Sequence, residues 1–187
     1  MRVTGGIGRG RRLKVPAGSR IRPTSDKVKQ ALFNILGDKV EGAAFLDLYA
    51  GAGGIGIEAL SRGAARAVFV DISRDSLSIL KKNIEQTGFS DLALVVASKA
   101  ETFLGKPSGP YDILFLDPPY AVEITPLLEL IGGSEILKPS SIVIIEHFKK
   151  QPSPKNAGRL LLYRESRYGD TLLAFYKHEY INQFTEV

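Results

Sequence analysis

A chain of 187 residues, 44% of them hydrophobic, is long enough to close a real core as one medium-sized domain. It has no cysteine and only two well-separated histidines, His147 and His178, which excludes a disulfide framework, a thiolate metal site and a His-rich metal cluster. No apolar stretch reaches transmembrane length, and Met1-Arg2 leads into glycine and arginine rather than a signal-peptide core, so a cytoplasmic protein with no membrane partner is expected.

The charge is unevenly placed. Residues 1–30 carry nine basic side chains against the single acid Asp26, a local +8 in a chain whose total is +5, so residues 31–187 sum to −3. An arm of arginine and glycine suits a phosphate backbone; the bland alternative is a solvated tail. Arg2-Val3-Thr4 and Arg11-Arg12-Leu13-Lys14-Val15 alternate like two short strands around a Gly-rich turn, which predicts an ordered hairpin. The division expected is a basic arm over 1–24 and a larger domain over 25–187. A helix follows over about 26–36, with Val28, Leu32, Ile35 and Leu36 on one face and Thr24 or Ser25 as its cap.

Strands are then predicted near 43–48, 66–71, 92–96, 111–117 and 141–146. Helices lie between them near 54–62, 74–87 and 123–131, with a short turn of helix around 100–104. This alternation predicts an α/β fold with a mostly parallel sheet and helices on both faces. The runs from Gly158 to Tyr168 and from Thr171 to Tyr180 read as a hairpin, giving an antiparallel last strand. Lys149 to Ala157, with two prolines and three lysines, reads as a loose loop.

Two motifs carry the chemistry. Phe45-Leu46-Asp47-Leu48 runs into Tyr49-Ala50-Gly51-Ala52-Gly53-Gly54-Ile55-Gly56, whose glycines match G-x-G-x-x-G and let backbone approach a nucleotide-like ligand. Asp71 ends the next strand, 15 residues past Gly56, where an acid accepts both hydroxyls of a ribose or simply caps the following helix. Asp47 beside the turn favours a cofactor carrying an ammonium group over a pyrophosphate. The second motif is Asp117-Pro118-Pro119-Tyr120 after Ile113-Leu114-Phe115-Leu116. A nucleobase amine is a poor nucleophile because its lone pair is delocalised into the ring. Hydrogen bonds to the Asp117 carboxylate and the Pro118 carbonyl draw the nitrogen toward tetrahedral geometry. The prolines hold that shape without competing donors, and Tyr120 offers a face for an extruded base. Ligands of open α/β sheets bind beyond the strand carboxyl ends. The glycine turn, Asp71, Ser98-Lys99-Ala100, the tetrapeptide and the Tyr168-Gly169 turn should therefore meet on one rim.

Arg2-Val3-Thr4-Gly5-Gly6, Arg9-Gly10-Arg11-Arg12-Leu13 and Arg22-Pro23-Thr24-Ser25-Asp26-Lys27-Val28 stand in order with Leu32-Phe33-Asn34, the glycine turn, Glu58 to Ala64, the tetrapeptide and Tyr168-Gly169. Across the whole length this resembles the RsmD family of S-adenosylmethionine-dependent methyltransferases, which methylate a guanine N2 in small-subunit (16S) ribosomal RNA. The resemblance implies a Rossmann-like class I methyltransferase fold with an RNA-contacting N-terminal extension, a role in ribosome biogenesis, and an assembling small subunit as partner of a monomer. It implies direct in-line methyl transfer without a metal. It places Asp47, Tyr49, Ala50, Gly51, Gly53, Asp71, Ile72, Lys99, Ala100 and Asp117 around S-adenosylmethionine, and Asp117, Pro118, Pro119 and Tyr120 around the target base. Arg9, Arg11, Arg12, Arg20, Arg22 and Thr24 would meet RNA. Many relatives carry Asp or Asn at the Lys99 position; lysine cannot accept from the adenine amine, so backbone contacts are expected there. A DNA amino-methyltransferase or a protein-glutamine methyltransferase would also handle a planar amine. A nicotinamide dehydrogenase explains only the glycines and Asp71, and an RNA-binding module only the arm.

Overall fold

The computed structural model describes residues 1–15, 24–106 and 108–178. Its framework is one eight-stranded sheet. The strands are β1 (Ala44–Leu48), β2 (Arg66–Asp71), β3 (Ala93–Ala97), β4 (Tyr111–Leu116), β5 (Leu137–Phe148), β6 (Asn156–Ala157), β7 (Leu160–Tyr168) and β8 (Thr171–His178), in the spatial order β3-β2-β1-β4-β5-β8-β7-β6. The first five are mutually parallel, and β8 enters antiparallel between β5 and β7. This is the doubly wound sheet with an antiparallel last strand that the alternation predicts. β1 is central and buried at all five positions, as its apolar run requires.

Helices α1 (Asp26–Leu36), α2 (Gly54–Ser61) and α3 (Arg74–Thr87) cover one face, packing Leu32, Ile57 and Leu80 with Phe45, Phe69, Phe115 and Ile144. Helices α4 (Ala100–Leu104) and α5 (Ile124–Gly133) cover the other, packing Phe103 and Leu128 with Leu46, Val68, Leu114 and Val143. Alternate residues along each strand thus feed separate cores, which is the period-2 rule of a sheet buried on both sides. Ser25 is the cap of α1: its hydroxyl accepts from the Val28 amide at 3.3 Å.

The described start of the chain turns back on itself as a hairpin, closed by a bridge between Arg2 and Arg12 and by the Val3 amide donating to the Arg11 carbonyl at 2.9 Å. Val3 and Leu13 are buried in the same core as α1, α2 and α3. Buried Glu58 accepts from the Thr4 amide at 2.7 Å, the Thr4 hydroxyl at 2.8 Å and Arg62 Nε at 2.8 Å, and lies 3.4 Å from Lys29 Nζ. Lys29 is fully buried, and burial holds its pKa below the usual lysine value against the opposing pull of Glu58. Arg2 meets Asp26 at 3.1 Å. Two of the nine basic side chains counted in this region, Arg2 and Lys29, are therefore ion-paired internally.

Two expectations need correction. β5 begins at Leu137, four residues before the run near 141–146, because Lys138 and Ser141 hold the entry: the Lys138 amide donates to Ser141 Oγ at 2.7 Å, and Ser141 Oγ donates to the Tyr111 carbonyl at 2.6 Å. The segment from Lys149 to Ala157 is not loose. Ser153 donates to Glu165 and lies 3.0 Å from His147 Nε2, Tyr176 donates to the Pro154 carbonyl at 3.0 Å, and Asn156–Ala157 pairs with β7. Proline and lysine content marked a connection, but the bonds that pin it come from strands far along the chain.

Candidate active site

The cofactor side is built where β1 turns into α2. Tyr49 takes a positive φ of 60°, uncommon for a bulky residue, and Gly51 follows at 53°. The Gly51 amide donates to Asp71 Oδ2 at 2.7 Å, and the Ser73 amide donates to Oδ1 at 2.8 Å, so the end of β2 fixes the turn. A methyl group placed on Gly51 would meet open space, so that backbone is approachable by a ligand. The other glycines serve differently. Added carbons at Gly53 and Gly56 would collide with Leu80 and the Phe69 ring, and one at Gly54 with the Met1 thioether. The motif thus divides into one open glycine and three that let α2, the sheet and the arm close together.

Asp47 lies beneath the turn, only 2% exposed, with Oδ2 accepting from the Gly56 amide at 2.9 Å. Burial pushes its carboxyl up to about 8; the Gly56 amide opposes this, and the charges of Asp117 and Asp71 add to it. The parallel pairing of β1 with β2 and β4 brings all three residues to the same end of the sheet. Ala50 is buried, its amide donating to the Val70 carbonyl at 3.0 Å. Ile72, next to Asp71, is 62% exposed and offers an apolar surface. The Ser98 amide donates to the Asp71 carbonyl at 3.1 Å, and Lys99 caps α4 through its backbone, with Ala100 buried behind it. Tyr49 donates to Glu101 at 3.3 Å, and burial with the Glu101 charge pushes its hydroxyl up to about 12. Sequence reasoning missed Glu101, for which an acid in the first turn of a short helix gave no distinctive signal. An open glycine, a ribose-type acid held by amides and a buried acid near the turn form a donor and acceptor set that fits S-adenosylmethionine.

The amine side follows β4. Among the described residues no group donates a hydrogen bond to Asp117, and burial raises its carboxyl above the usual range. Pro118 is buried and Pro119 exposed, and the Val122 amide closes the turn on the Pro119 carbonyl at 2.8 Å. Tyr120 is 82% exposed, its ring meeting Phe148 edge to face with centroids 5.9 Å apart. A broad aromatic face is thereby held beside Asp117. The Tyr168-Gly169 turn reaches the same rim, since Phe148 pairs with Thr171 and the Lys149 amide donates to the Asp170 carbonyl at 2.9 Å.

The expected RNA-contacting residues separate into groups. The Arg9 side chain has no partner among the described residues and the residue is exposed, its amide donating to the Gly6 carbonyl at 3.2 Å. Arg11 donates to the Thr87 carbonyl at the end of α3, and the Arg12 carbonyl accepts from Gln86 at 3.1 Å. Arg20 and Arg22 lie outside the described residues. Thr24 donates through its hydroxyl to Glu146 Oε2 at 2.8 Å, beside the amine side. Glu146, 8% exposed, was read only as the end of a strand. Its signal was an acid closing an apolar run, the pattern shared by Asp47, Asp71 and Asp117.

Comparison with known proteins matches residues 1–177 to the family described as "Conserved hypothetical protein 95". The Bacillus subtilis protein named "Putative rRNA methyltransferase YlbH" is 39% identical over 181 residues, 95% of this chain and 98% of that one. The Escherichia coli protein named "Ribosomal RNA small subunit methyltransferase D" is 34% identical over 182 residues, 96% and 90% of the two chains. The solved Escherichia coli structure titled "Putative methyltransferase yhhF" superposes with a TM-score of 0.85 at 34% identity, covering 96% of this chain and 98% of that one. An RNA methyltransferase from Salinibacter ruber in complex with S-adenosyl-L-homocysteine shares the fold at 20% identity and a TM-score of 0.65. Matched from the arm through the last described strands, the chain belongs to the RsmD family of S-adenosylmethionine-dependent methyltransferases.

Proposed function

We propose that this protein methylates the exocyclic N2 amine of a guanine in small-subunit ribosomal RNA during ribosome biogenesis, as a monomer acting on an assembling subunit. The observation that carries this is an acceptor without donors, Asp117, beside an exposed aromatic face, Tyr120, on the rim that also bears the glycine turn and Asp71. The relative whose name specifies the small subunit aligns over nearly the whole chain, and the guanine N2 assignment comes from the resemblance to its family.

S-adenosylmethionine, when bound, supplies an electrophilic methyl on a sulfonium. The chain's own residues then have three tasks. Gly51 lies under the methionine part and Asp71 holds the ribose, with the Lys99-Ala100 backbone at the adenine and Tyr49 and Ile72 nearby. Asp117 and the Pro118 carbonyl accept from the amine, drawing its lone pair out of the ring, and Tyr120 stacks on the base. The arm over 1–24 positions RNA against the domain over 25–187, chiefly through side chains without internal partners such as Arg9. The direct test is mass spectrometry of small-subunit rRNA from a strain lacking the protein, with purified wild type added back to its subunits. One guanine N2 methyl group should be missing and then restored. An unchanged methylation pattern, or transfer only to a DNA amine or a protein glutamine, would overturn the assignment.

A further inference from the structure

The amine acceptor has a second carboxyl beside it. β4 and β5 run parallel with Leu116 opposite Ile145, so the next residues outward, Asp117 just past the end of β4 and Glu146 within β5, follow side by side. Leu116 and Ile145 both pack toward α4 and α5, and side chains alternate along a strand. Both carboxyls therefore rise on the opposite face, which α1, α2 and α3 cover. From the start of α1, Thr24 donates to Glu146 Oε2, and β8 sets the fully buried Leu173 against Glu146. The titratable group acting on it is Asp117, whose charge in turn acts on Asp47 along the rim. Thr24 and Leu173 carry no charge.

Resting on the amine methylation proposed above, we propose that Glu146 is a positioning residue whose carboxyl shares one proton with Asp117, so that the pair rather than Asp117 alone receives the proton the amine gives up. Two carboxylates removed from water side by side do not both ionise at neutral pH. At rest Glu146 carries the proton and Asp117 the charge. The amine nitrogen forms its bond to the methyl carbon as the carbon–sulfur bond breaks, and that electron pair stays on sulfur. The nitrogen, now cationic, passes one proton to Asp117. The pair then holds two protons and returns one to water. Burial and the Asp117 charge both raise the Glu146 carboxyl, the direction this division requires. Thr24 fixes one Glu146 oxygen, which leaves the other to face its neighbour.

A purely architectural Glu146 would only anchor Thr24 and the start of α1. Glu146→Gln separates the two roles, because the amide keeps an acceptor for Thr24 but has no proton to exchange. In the full-length variant, kcat for rRNA methylation should fall roughly tenfold to a hundredfold, with KM for cofactor and RNA unchanged. One of the two ionisations in the wild-type kcat–pH profile should vanish, and Glu146→Asp should recover part of the rate. A Gln variant with wild-type kcat and pH profile overturns the proposal. Carbon-13 carboxyl NMR of the wild type gives a readout independent of RNA, of the identity of the substrate and of how the variant folds. Asp117 and Glu146 should move together in two shared steps, whereas two independent single-step titrations would overturn the pairing even if guanine methylation is confirmed.

Discussion

Asp71 and Asp117 hold matching places, each closing an apolar run at the carboxyl end of a parallel strand, yet their surroundings are opposite. Asp71 accepts from the Gly51 and Ser73 amides, one on each oxygen. Asp117 has no donor among the described residues and lies beside another acid, Glu146. An acid already clasped by backbone is a fixed receptor whose remaining lone pairs suit hydroxyls. An acid stripped of donors gains most from an amine and takes up a proton readily. One residue type at one kind of strand end thus serves two functions through its neighbours alone.

The sharpest way to break this contrast is Asp117→Ala. Methyl transfer should fall at least about 10²-fold while cofactor and RNA affinities stay near wild type. Asn, which keeps one acceptor oxygen, should cost less. Single-turnover kinetics with binding titrations checks both, and near-normal turnover by the Ala variant would place the activation of the amine elsewhere. Asp71→Ala should do the reverse. Affinity for S-adenosylmethionine should drop by roughly 1.5–3 kcal/mol as the ribose acceptor is lost and the Gly51 amide is released, and calorimetry showing no change would remove Asp71 from the site.

The same rule applies to the arm. Arg11 is partnered and Arg9 is not, so Arg11→Ala should lower folding stability by about 1–2 kcal/mol in denaturant titrations. Arg9→Ala should leave stability intact and reduce the salt slope of RNA binding by roughly 0.7–0.9. Equal effects of the two on stability would dissolve the distinction. The smallest expected effect is on pH. Asp47 has a folded pKa near 8 against an ordinary value of about 4. Across that window the folded chain binds more protons than the unfolded one, so stability falls as pH rises and levels off above about 8. The raised carboxyls of Asp117 and Glu146 act in the same direction. Asp47→Asn should flatten part of this slope in thermal melts of the cofactor-free protein, and an unchanged slope would show that Asp47 is ionised in the fold.

Much of this was legible in the chain because strand, glycine turn and helix are written in local periods. Phe45 to Gly56 and Ile113 to Tyr120 specify their own turns, and the parallel topology then brings them together. Glu146 was not legible as more than a strand end, since Ile142 to Ile145 is a buried run and the carboxyl gains meaning only from β4 alongside. The roles of Gly53, Gly54 and Gly56 were hidden for the same reason: Leu80, Met1 and Phe69 are distant in sequence. Lys29 counted as one more cation until Glu58, 29 residues later, took it out of solvent.

The position of β8 bears on how the molecule is made. Until Thr171–His178 arrives, the buried stretch Ile142–Ile145 forms an open, apolar sheet edge, and β7 has no route into the sheet. A nascent chain would carry that edge from the completion of β5 until β8 is made, the situation in which strands pair with the wrong neighbour or with another molecule. The final hairpin is therefore what covers that edge, and lesions within Leu172 to Tyr176 should first show as poor recovery of soluble protein.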